Sequence, residues 1–159
     1  YEICEGLVGS EMCIRESTKT KAENRRLIDW FDNKFYREVS KIIINERVEK
    51  RFRSIEKGGG LPNTELIRMA MGTMNNHLKY MEYLLERRFW LVTNKIELAD
   101  LTAASHISCL DYLGDIPWEK FPEIKLWYSR IKSRPSFRSI LTDKIVGIPP
   151  RGNYALLDF

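Results

Sequence analysis

Apolar positions recur along most of this chain at the three- and four-residue spacing of amphipathic helices, and nowhere do they alternate as a half-buried strand would require. From Lys21 to about Arg53, the stripe Leu27, Phe31, Phe35, Val39, Ile42, Val48 and Phe52 predicts one long helix. Thr20 and Glu23 have the spacing of a capping box at its start. Gly58-Gly59-Gly60 ends it, because three glycines make further helix entropically expensive; with no strand before them and no Lys-Ser/Thr after, they read as a linker. A second helix is expected from Asn63 or Thr64, with Glu65 in its first turn and a stripe of Ile67, Met71, Met74, Leu78, Met81 and Leu85. The methionines read as core filling. His77, without a second ligand one turn away, reads as a surface or interface histidine.

The run Arg87-Arg88-Phe89-Trp90-Leu91-Val92 is too apolar for open solvent and fits a helix junction. Leu98 to Tyr112 predicts a helix with apolar or small residues nearly all round (Ala99, Ala103, Ala104, Ser105, Ser108), suited to a central position, with Gly114 and Pro117 ending it. Pro122 opens a helix with Ile124, Trp127, Tyr128 and Ile131 inward, and Pro135 opens a shorter one to about Asp143. Pro149-Pro150 rules out helix in the tail. The expectation is an all-α bundle of five or six helices over residues 18–146, followed by an extended tail over 147–159.

Composition narrows the function. With 43% hydrophobic residues in 159, the chain can build one real core. No apolar run approaches the ~20 residues of a membrane span, so no membrane partner is expected. Residues 1–17 have neither helical nor strand periodicity and are set aside from fold reasoning; they resemble translated sequencing-adapter DNA. They hold one basic residue (Arg15), four acidic ones (Glu2, Glu5, Glu11, Glu16) and two of the three cysteines (Cys4, Cys13). The remaining 25 basic and 18 acidic residues carry a net charge of +7, which favours anionic partners such as an acidic protein surface. A basic stripe with base-stacking aromatics is absent, so no nucleic-acid partner is expected. Cys109 alone cannot form an internal disulfide, and no Cys/His spacing suggests a metal site; a reducing cytoplasm suits such a chain. Inside its apolar helix Cys109 reads as packing rather than as a nucleophile.

The stretch Ile96-Glu97-Leu98-Ala99-Asp100-Leu101-Thr102-Ala103-Ala104 resembles the start of the buried helix in glutathione S-transferase C-terminal domains, where a Ser/Thr-x-x-Asp capping box sits among apolar residues. The likeness continues through Trp118 and Pro122 to Ile124-Lys125-Leu126-Trp127-Tyr128-Ser129-Arg130-Ile131-Lys132-Ser133-Arg134-Pro135-Ser136-Phe137. It implies the helical half of such a protein, without the thioredoxin-like half that binds glutathione. The alternative reading of Ile3-Cys4-Glu5 is a remnant of that half. Here Glu97 replaces the usual Ser or Thr, and the resemblance makes Glu97 and Asp100 folding determinants rather than catalysts.

The end of the chain, Ser133-Arg134-Pro135-Ser136-Phe137-Arg138, Pro149-Pro150 and Tyr154-Ala155-Leu156-Leu157-Asp158-Phe159, resembles alphaproteobacterial cell-division proteins that bind FtsZ filaments on a transferase fold. The opening helix, with Trp30-Phe31-Asp32 and Arg37-Glu38-Val39, shares that likeness. Two functions stay open. One is a non-catalytic FtsZ-binding division factor, with Tyr154, Leu156, Asp158 and Phe159 as partner anchors. The other is a glutathione transferase whose electrophile-pocket wall includes Trp30, Lys34, Phe35 and Arg37. The resemblance places the residue that activates the glutathione thiol outside this stretch. It implies no catalytic residue and no cofactor here, glutathione only for a longer protein, and a homodimer paired across the first two helices. The tail has a second reading, folding back to seal its own domain.

Overall fold

Five residues at strict four-residue spacing, Leu27, Phe31, Phe35, Val39 and Ile43, are each no more than 1% exposed. In an α-helix of 3.6 residues per turn, each four-residue step drifts by roughly 40°, so such a column would wind off the core within two turns. The computed structural model, which describes residues 18–157, shows how the chain keeps the column inward. The first helix, α1 (residues 18–52), widens into π-helical turns over Trp30–Ser40 and again over Asn45–Glu49. There the Lys41 N–H reaches back five residues to the Tyr36 carbonyl, and the Lys50 N–H to that of Asn45. The fuller turn cancels the drift. Ile43 and Glu46 thus occupy the inward face near the end of α1, while Phe52 is 61% exposed. The helix is already running at Thr18, so Thr20 is not its N-cap, and the Glu23 carboxylate instead accepts from Arg26 at 2.9 Å.

A linker with a 3₁₀ turn at Ile55–Lys57 returns the chain. A Cβ on Gly59 would lie 1.9 Å from the Arg53 carbonyl oxygen, so only glycine fits that bend. Helix α2 (Thr64–Leu85) begins at an Asn63 N-cap whose side chain accepts from the Glu65 and Leu66 N–H groups. It packs antiparallel on α1 through Ala70, Met74, Leu78 and Met81. His77, expected at the surface or an interface, lies on the same face and is buried between α1 and α2: Trp30 Nε1 donates to its Nδ1 at 3.0 Å and its Nε2 meets Glu38 at 2.8 Å. Because the indole N–H can only donate, Nδ1 is the accepting nitrogen and Nε2 the one turned to the Glu38 carboxylate.

Helix α3 (Leu98–Leu113) crosses α1, ends at Gly114 in the left-handed region, and carries the fully buried Ala99, Ala103, Ala104, Ile107 and Leu110. It is not enclosed all round. Leu98 and Leu101 are 55% and 43% exposed, and Cys109 further along is exposed too, which corrects the expectation of a thiol packed in the core. Pro122 opens α4 (Pro122–Lys132) and Pro135 opens α5 (Pro135–Leu141). Among the described residues there are five helices, no strand, and one isolated bridge between Ile145 and Ile148. No helix is long and apolar enough to cross a membrane.

Candidate functional site

The four residues expected to wall an electrophile pocket do not converge. Phe35 is fully buried between the rings of Phe31 and His77. Trp30 is half-buried in the α1–α2 seam, stacked on Tyr80 at 5.0 Å, and Lys34 lies outside with its ammonium 4.7 Å from the Trp30 ring centroid. Arg37 is exposed. The flank of α1 that meets α3 is built from other residues, Asp32, Tyr36 and Ser40, gathered around His106. Ser40 Oγ and Asp32 Oδ1 each lie 3.3 Å from its ring nitrogens. Ser, His and Asp in line suggest a nucleophile and its base, but Ser40 is 1% exposed and no substrate reaches it. Among the described residues no three metal-ligating side chains cluster.

Glu97 and Asp100 form a capping box at the start of α3, with Asp100 Oδ2 accepting the Glu97 N–H at 2.9 Å. The role of Asp100 is wider than capping. Its Oδ1 accepts from the Leu91 N–H at 3.0 Å and from Trp127 Nε1 at 2.8 Å, so one inaccessible carboxylate ties the 86–97 loop, α3 and α4 together. Burial raises its pKa, and these three donors pull it back. Free amides at the starts of α3 and α4 are also met from across the fold. Asn24 on α1 accepts the Ala99 N–H at 2.9 Å, and Glu82 on α2 accepts the Glu123 and Ile124 N–H groups at 3.0 Å.

The tail returns to its own domain. The Arg151 N–H donates to the Tyr112 carbonyl at 3.0 Å, the Tyr112 hydroxyl donates to the Ile148 carbonyl at 2.6 Å, and the buried Tyr154 shares a 2.9 Å hydrogen bond with Ser108. Of the expected anchors, Tyr154 is thus committed to this contact, Leu156 is 51% exposed, and Asp158 and Phe159 lie outside the described residues. Beneath Tyr154 lies a buried ion pair, Lys132 with Asp111 at 3.3 Å, and Trp118 Nε1 donates to Asp111 at 2.9 Å. Burial raises the Asp111 pKa and lowers that of Lys132, each opposed by the other's charge.

Beside this seal runs an apolar groove of about 420 Å³, lined by Ile44 and Val48 of α1, Cys109 and Tyr112 of α3, Ile140 of α5 and Ile145. Although Cys109 is exposed along the groove, partial desolvation against this apolar wall pushes its thiol above the ordinary range, the reverse of what an activated nucleophile requires. The sequence reading missed Glu46, Glu82, Asp111, Asp115 and Lys132. Glu46, four residues after Ile42, and His77, three residues after Met74, each continue an apolar stripe, the one periodic signal of their burial.

Residues 60–135 match the glutathione S-transferase, C-terminal domain family. The bundle is a C-terminal domain of the glutathione S-transferase type. Among individual proteins, the chain is 43% identical over 139 residues to FtsZ-localized protein A of Caulobacter vibrioides, covering 87% of this chain and 59% of that protein. It superposes on a glutathione S-transferase from Sinorhizobium meliloti with a TM-score of 0.87 at 41% identity, covering 91% of this chain and 62% of the other. FzlA from C. crescentus matches with a TM-score of 0.85 at 42% identity, again over 91% and 62%. The chain therefore spans about three fifths of the length of these relatives.

Proposed function

We propose that this chain is the helical part of a non-catalytic cell-division factor that binds FtsZ filaments in the cytoplasm as a homodimer. The 43% identity to a protein named for its localisation with FtsZ carries the reading, because the 139 residues it spans reach well beyond the family's core segment. A bundle whose polar interior is spent on holding helices together, and whose one described thiol is not activated, agrees with a binding role. The chain's net charge of +4 favours an acidic partner surface.

Co-sedimentation tests it: the purified chain should pellet with polymerised FtsZ, less so as salt rises. Truncation after Tyr154 removes Leu156, Asp158 and Phe159 but keeps the seal on Ser108, and should weaken pelleting if the tail contributes. Absence of pelleting at low salt would defeat the reading. A second reading, glutathione conjugation, is favoured by the likeness to the Sinorhizobium glutathione S-transferase, and glutathione-dependent turnover of chloronitrobenzene by the full-length protein would support it.

A further inference from the structure

At the elbow between α1 and α2 is a cleft of about 450 Å³ lined by Arg47, Arg51, Pro62, Thr64, Ile67, Arg68 and Met71. We infer that this cleft binds a small phosphate-bearing ligand with an apolar body. Three arginines line one space from two helices: Arg47 and Arg51 one turn apart on α1, and Arg68 one turn beyond Thr64 on α2. Little in the fold neutralises them. Arg51 and Arg68 are exposed and make no ion pair or hydrogen bond among the described residues. Arg47 is held at 2.8 Å by the buried Asp115, yet its Nε is buried with no acceptor among the described residues. Arg47 thus adds positive charge at the wall of the cleft, while the exposed Arg51 and Arg68 are the groups free to contact a bound anion.

Two carboxylates beside the cleft on α1 are committed elsewhere. Glu46 pairs with Lys50 at 2.6 Å and Glu49 with Arg53, while Glu65 makes no pair with Arg68. The cleft is also held open by design of its frame. Glu46 accepts the Asn63 N–H at 2.7 Å, which ties the end of α1 to the cap of α2. Because the Asn63 side chain occupies the Glu65 and Leu66 amides, the anion is taken by arginine side chains and not by the helix terminus.

Phosphate fits this arrangement better than carboxylate. Its three terminal oxygens in a tetrahedral array, with a charge approaching −2, can serve forks arriving from two directions, whereas a carboxylate offers two coplanar oxygens and a single charge. The floor of Pro62, Ile67 and Met71 is apolar, so a bare ion would leave it wet and an apolar body would cover it.

Calorimetric titration with phenyl phosphate, inorganic phosphate and benzoate tests both halves. Phenyl phosphate should bind saturably, at least about tenfold more tightly than either of the others. Arg51→Gln and Arg68→Gln should each weaken it about tenfold, and Lys79→Gln, further along α2, should not. Both arginines are exposed, so the variants should retain the wild-type helical circular dichroism. Absence of saturable binding, or binding that both variants retain, overturns the site. Equal affinity for benzoate overturns the choice of phosphate, and equal affinity for inorganic phosphate overturns the apolar body.

Discussion

Removing the Asp100 side chain should cost this domain far more than the loss of an ordinary helix cap. Ala at this position leaves three donors without an acceptor: the Leu91 and Glu97 amides and the Trp127 indole N–H. The carboxylate and Trp127 are both fully inaccessible, so water cannot replace it without opening the core. At about 1–3 kcal/mol for each stranded donor, the gross loss is several kcal/mol. The unfavourable burial of the carboxylate itself, which raises its pKa, returns part of that. A net cost of about 3–5 kcal/mol remains, in the range for breaking a buried charged contact. Urea unfolding followed by far-ultraviolet circular dichroism measures it. With a slope of about 2 kcal/mol per molar, the midpoint of Asp100→Ala should fall by roughly 2 M. Asp100→Asn can keep the two bonds to Oδ1 but turns an amide toward the Glu97 N–H, so it should lose about half as much. An Ala variant whose midpoint lies within about 0.3 M of the wild type would refute the three-way tie.

Glu46 has its pKa lowered, chiefly by Lys50, so it is a group with depressed folded-state pKa: its contribution is present above the ordinary carboxylate range and lost as pH falls through the lowered value. Glu46→Gln should therefore destabilise at neutral pH and converge with the wild type in acid, which thermal melts at a series of pH values would show; a constant difference would contradict it. Tyr154→Phe should cost about 1 kcal/mol through the lost Ser108 bond, and Tyr154→Ala about 3–5 kcal/mol through the vacated core. In a Cys4→Ser/Cys13→Ser background, Tyr154→Ala should also speed disulfide-reagent labelling of Cys109 on the adjoining groove; unchanged labelling would mean the seal does not shape that groove. Glu82→Ala should lower stability by about 1 kcal/mol by uncapping α4 from α2, and a melt superimposable on the wild type would remove that role.

The helices were readable because their cause is local. The stripe of α2, its Asn63 cap and the prolines opening α4 and α5 act within a few residues of themselves, and each lies where its spacing places it. The resemblance carried by residues 96–104 reached further. It singled out Asp100, though as a cap, because its bonds to Leu91 and Trp127 span nine and 27 residues and leave no periodic trace. The four residues named as a wall on α1 do not share one face, for a geometric reason. Trp30 and Lys34 turn toward α2 and Phe35 into the core, and which flank of a helix faces which neighbour is set by partners that spacing alone does not name.

What escaped the sequence shares one character: a polar group on one helix satisfies a need on another. Glu82 caps α4, Asn24 meets an amide of α3, Glu46 holds the start of α2, Asp115 holds Arg47, and Asp111 pairs with Lys132. Apolar stripes bring helices together with little preference among neighbouring registers, since a shifted stripe still buries much of its area. A carboxylate that must meet two particular amides admits one register, and every displaced alternative strands it in the core at a cost of several kcal/mol. The apolar pattern thus makes a helical bundle, and these long-range contacts select the transferase-type arrangement from among the bundles the same stripes would allow. They leave the exposed Arg51 and Arg68, the rim of the apolar groove and the exposed Leu156 without a structural duty among the described residues, and it is on those surfaces that relatives sharing this frame can differ in what they bind.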